Sequence, residues 1–83
     1  MTLEQIGKWC EARTELKRTR DDFYTTGRRT IHSVKFENGD SYEQEEEEIS
    51  PNLKIVKIKL NGVIDYARQM VWCNFGWREV VEC

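Results

Sequence analysis

The residues with the most chemical potential in this chain are carboxylates, and they are bunched. Glu43, Glu45, Glu46, Glu47 and Glu48 fall within six consecutive positions. General acid–base work asks for two carboxylates in different environments, so that their pKa values separate; one run does not offer that. A divalent cation asks for oxygens converging at fixed geometry, and no Asp-x-Asp-x-Asp-Gly pattern is present. A dense anionic run can, however, steer toward a basic surface. It can equally serve to keep a loop hydrated and to discourage sheet edges from pairing.

The other chemistry-bearing types are sparse. His32 is the only histidine, and with no carboxylate or cysteine beside it in sequence it reads as a half-buried strand residue rather than a catalyst. Cys10, Cys73 and Cys83 are widely spaced, with no Cys-x-x-Cys or His-x-x-x-His pattern. No metal site and no cofactor are therefore expected. Without a Gly-rich phosphate loop or a nucleophile motif, the chain reads as non-enzymatic.

Two further groups could make contacts. Lys17, Arg18, Arg20, Arg28 and Arg29 gather around positions 17–29. They suit the C-terminal end of a helix, or a phosphate-contacting patch with Phe23 and Tyr24 stacking on bases; Asp21 and Asp22, inside the patch, oppose the second use. Trp72, Phe75 and Trp77 crowd into six residues beside Arg78. Such side chains either close one end of a small core or form an interaction hot spot, where Trp and Arg are over-represented.

These groups must be positioned by one small domain, since the chain has 83 residues. Its net charge of −2 is uninformative, but the distribution is not: residues 1–36 carry eight basic and five acidic side chains, residues 37–52 seven acidic and none basic, and residues 53–83 five basic and three acidic. Three unpaired thiols point to a reducing cytoplasm, and no apolar run is long enough to span a membrane.

The local signals give the elements. Thr2-Leu3-Glu4-Gln5 has capping-box spacing, and a stripe through Leu3, Ile6, Cys10, Leu16 and Phe23 predicts a helix over 3–23. Residues 30–37 read as a strand, Asn38-Gly39 as a hairpin turn and residues 40–45 as the return. A three-residue loop with a bulge is favoured because it sets Tyr42 opposite Val34 on the apolar face. The glutamates then form an exposed strand end or loop, and Ser50-Pro51-Asn52 a break. Val56, Ile58 and Leu60 alternate with Lys57 and Lys59 as a strand, which Asn61-Gly62 turns back. Residues 63–73 fit a strand or a second helix. Residues 74–76 are a turn before a short strand over 77–81. The predicted class is α+β, an N-terminal helix packed on a small antiparallel sheet of two Asn-Gly hairpins plus a short C-terminal strand.

The expected function is protein binding. Compact, acidic and site-free, the chain resembles in type the small accessory proteins of phages and other mobile elements, which often act as inhibitors covering the working surface of a larger host protein. On that reading Glu43 and Glu45 to Glu48 steer toward a basic, nucleic-acid-processing partner, while Trp72, Phe75, Trp77 and Arg78 make the buried contact. The alternative is direct nucleic-acid binding through Lys17, Arg18, Arg20, Arg28 and Arg29, with Lys54, Lys57 and Lys59 assisting. A pocket lined by Tyr66, Trp72 and Arg78 is a third reading, and a free sheet edge would permit a homodimer.

Overall fold

The computed structural model describes residues 1–80. They form one helix, α1 (Leu3–Glu11), and six strands: β1 (Arg18–Thr26), β2 (Arg29–Phe36), β3 (Ser41–Ser50), β4 (Leu53–Leu60), β5 (Val63–Cys73) and β6 (Gly76–Glu79). The strands make a single sheet in chain order, each antiparallel to the next. The predicted α+β balance is thereby corrected. The molecule is mainly an open six-stranded meander, and the helix is an accessory to it.

The turns explain the simple order. Leu60 pairs with Val63 across Asn61-Gly62, whose φ angles of 54° and 80° are the left-handed pair that a two-residue hairpin requires. Lys35 pairs with Ser41 and Val34 with Tyr42. The loop between them closes with Gly39 N–H donating to the Phe36 carbonyl at 3.0 Å and Phe36 N–H donating to the Asp40 carbonyl at 2.8 Å. Residues 63–73 are strand, not helix; their pairing with β4 satisfies a backbone that an isolated helix would have to satisfy alone.

The helix is much shorter than predicted. Its start is capped: the Thr2 hydroxyl accepts from Gln5 N–H at 3.2 Å, and Thr2 N–H donates to the Gln5 side chain at 2.8 Å. It stops at Glu11, where Arg13, Thr14 and Leu16 N–H groups bond three residues back, to Cys10, Glu11 and Arg13. The chain then enters β1, whose Thr19, Phe23, Tyr24, Thr25 and Thr26 prefer extended backbone. The apparent stripe through Leu16 and Phe23 was a coincidence of spacing.

α1 covers one face of the sheet with Ile6, its buried residue. Ile6 packs with Val56, Ile58 and Leu60 of β4 and Tyr66 and Met70 of β5, with Trp9, Cys10, Tyr42 and Trp77 at the margin. Trp9 also stands edge-on to Phe36, ring centres 6.0 Å apart. The Tyr42 phenol donates to the Gln44 side chain at 2.7 Å, and burial pushes its pKa up to about 12. The opposite face of the sheet has no covering layer among the described residues.

Just past the helix, Arg13 clamps the turn to the sheet. Its guanidinium donates to Asp40 and to the Trp9 carbonyl, each at 2.8 Å, and lies 3.7 Å from the centre of the Trp9 ring. The Arg13 hydrogen bond, helped by Asn38, holds the Asp40 carboxyl below its usual range. On β1, hydrogen bonds from His32 and Arg18 do the same for Asp21. A lowered folded pKa gives stability that is complete above the unfolded value of about 4 and is lost as pH falls through the folded value. Thermal melts should therefore hold steady from neutral pH to about pH 4 and decline below it. Asp40→Asn should melt lower than wild type at pH 7, with the gap closing in acid.

Candidate protein-binding site

The acidic run is not a loop. Glu43, Glu45, Glu46, Glu47 and Glu48 all lie in β3, the third of six strands, and the first four of them are half-buried. Strand alternation divides them. Glu46 faces the helix side and accepts from Lys54 Nζ at 2.9 Å. Glu43, Glu45 and Glu47 face the uncovered side. There Arg29 of β2 lies 3.1 Å from Glu45 and 3.8 Å from Glu47, while Lys59 and Lys57 of β4 stand directly across from Glu43 and Glu45. A glutamate row is stable mid-sheet because both flanking strands bring cations. The expected steering patch is corrected accordingly: this chain's own Arg29 and Lys54 hold three of its members, and only Glu48 is exposed.

The basic cluster is also dispersed and engaged. Lys17 to Arg20 do not cap a helix, since α1 ends before them. Arg18 pairs with Asp21 at 2.9 Å, Arg20 with Asp22, and Arg29 with the β3 glutamates. Arg28 sits in the β1–β2 turn and donates to the Ile49 carbonyl at 3.4 Å. His32 does have a carboxylate partner that sequence distance hid: Asp21 of the neighbouring strand, 2.8 Å from Nε2.

The four aromatic-cluster residues part company. Trp77 packs against the core, with Lys54 Nζ 4.3 Å from its ring centre. Trp72 lies across from it on β5, edge-on at 5.7 Å, and remains 45% exposed. Arg78 is opposite Val71 and so points to the other face. Phe75 is at the tip of the β5–β6 hairpin, 97% exposed. A pocket made of Tyr66, Trp72 and Arg78 is not formed: Tyr66 is buried beneath α1 and donates to Glu79 at 2.7 Å, while Arg78 is on the far side.

The backbone at Phe75 is unusual. Cys73 pairs with Gly76, leaving Asn74-Phe75 as a two-residue loop with φ angles of 51° and 61°. The second position of such a turn is ordinarily glycine. A bulky residue held at positive φ is costly, and strain of this kind collects at functional positions. Nothing packs on the ring to compensate, since it is almost wholly in solvent.

Cys10 is a half-buried free thiol, its pKa raised by burial, whereas Cys73 is disulfide-bonded. A disulfide at Cys73 does not fit the three free thiols from which a reducing cytoplasm is expected. Cys83, and Val81 at the end of the predicted last strand, lie outside the described residues. Among the described residues no helix is long and apolar enough to cross a membrane, and no group of His, Cys, Asp and Glu is arranged to hold a metal ion. Comparison with protein-family models, curated proteins and solved structures found no match.

Proposed function

We propose that this chain is a protein-binding module, a small accessory or inhibitory factor that engages a larger protein by inserting the β5–β6 hairpin tip into an apolar pocket. Phe75 is the anchor and Trp72 the flanking contact. The observation that carries the reading is a fully exposed phenylalanine held in left-handed backbone where glycine would be easier. A rigid two-residue turn presents the ring with little entropy left to lose on binding. Aromatic anchors of this kind dominate interface energetics.

The glutamates enter this reading differently from the sequence expectation. Held by Arg29 and Lys54, they shape the sheet that carries the tip; they are not the recognition surface. The basic cluster supports no second reading, because Arg18, Arg20 and Arg29 already face this chain's own carboxylates.

The test is Phe75→Gly. It should raise the melting temperature, because relieving positive φ is worth about 1 kcal/mol, while weakening capture of the natural partner at least about tenfold. Nuclease treatment of the extract should leave capture unchanged. Equal capture by wild type and Phe75→Gly would sink the proposal.

A further inference from the structure

The nine residues of β1 form the sheet edge opposite the Phe75 tip, and none of them is buried. Natural sheets guard such edges with lysines, prolines or bulges. β1 has one irregularity, between Arg18 and Arg20, and its charges stop at Asp22. Past that point Phe23-Tyr24-Thr25-Thr26 is uncharged, rich in strand-forming residues and unguarded; Phe23 is 68% exposed.

The hairpin determines which backbone groups face outward. Thr26 pairs with Arg29 across Gly27-Arg28, and the pair closing a two-residue loop exchanges both of its hydrogen bonds. Bonded pairs then alternate along the ladder. Tyr24 and Asp22 also point their amides at β2, while Thr25, Phe23 and Asp21 point theirs at the free edge.

We propose that this edge binds a second copy of the chain, the two β1 strands running antiparallel about a two-fold axis at Phe23. The pairing must set outward-facing residues opposite one another, which leaves few registers. A dyad at Asp21 or at Asp22 sets an aspartate against its own copy. A dyad at Tyr24 overlaps only residues 22–26. A dyad at Phe23 overlaps residues 20–26, stays clear of the irregularity and brings no like charges together. It sets Phe23 on Phe23, the Tyr24 phenol across from the Asp22 carboxylate, Thr25 across from Asp21, and Thr26 across from Arg20. Aromatic pairs and hydroxyl–carboxylate pairs are favourable cross-strand neighbours, and the self-complementary patch is what a two-fold interface requires. The result is one continuous sheet with a Phe75 tip at each far end.

Sedimentation equilibrium tests this. Wild type should self-associate reversibly to a dimer. Thr25→Pro removes an outward amide without touching the bonds to β2, so it should keep the monomer fold by circular dichroism while weakening the dimer at least about tenfold. Phe23→Asp, at an exposed position, sets two carboxylates at the dyad and should weaken it comparably. Phe23→Cys should form a disulfide-linked dimer under mild oxidation, and Thr19→Cys should not. A wild-type chain that stays monomeric at about 1 mM, or variants that dimerise as well as wild type, would overturn the proposal.

Discussion

Ile58→Ala is expected to cost about 3 kcal/mol of folding stability, within the range for truncating a buried isoleucine. Ile58 is 3% exposed and belongs to the core cluster between α1 and the sheet. Ile6 of α1 presses on it from above, Val56 and Leu60 flank it on β4, and Tyr66 faces it from β5. Removing three carbons there leaves a void that the sheet backbone, held by ladders on both sides, cannot close. A domain of this size has only about 4–12 kcal/mol in total, so the loss is a large share. In urea the midpoint should fall by about 2 M with an unchanged slope, taking a slope near 1.5 kcal/mol per molar. Ile64→Ala is the control. Ile64 is on the next strand but exposed, and its truncation should stay within about 0.5 kcal/mol. Equal effects from the two would mean that the helix does not cover β4 as described.

The second large effect concerns the glutamates. Glu45→Lys combined with Glu47→Lys should destabilise the fold by about 2 kcal/mol, from lost pairs and new repulsions of a few tenths to 1 kcal/mol each. The reversal turns both favourable contacts of Arg29 into repulsion and sets a second lysine across from Lys57. The melting temperature should fall by about 10 °C at low salt, and added salt should recover part of the loss. An unchanged melting temperature would return these side chains to the role of a free docking patch. The same experiment therefore separates a structural glutamate row from a steering one.

That distinction shows where sequence reading ends. The capping box at Thr2, the three-residue turn at Asn38-Gly39 and the two-residue turn at Asn61-Gly62 were legible because each depends on residues within reach of one another in sequence. The glutamates were not. Considered alone they repel, and only the register that brings Arg29 and Lys54 alongside them makes a strand tenable. His32 is a half-buried strand residue, as its sequence setting suggests, but its partner was hidden for the same reason, Asp21 being one strand away. Helical spacing in Leu16 and Phe23 suggests a longer helix than forms, because the strand preference of the threonines and aromatics around them prevails. Of the binding candidates, sequence named Phe75 but had no means to separate it from Trp77. The two differ in burial and in backbone, and the deciding feature is a left-handed conformation at Asn74-Phe75 that no Asn-Gly pair announces.

The strictly sequential order of the strands has a kinetic consequence. No strand waits for a partner made much later, so each closure spans only a short hairpin and costs little chain entropy. Sheet proteins are usually slow to fold because their pairings are distant in sequence. Here the sheet can zip from one hairpin to the next, and the one distant closure is the docking of Ile6 of α1 on β4 and β5.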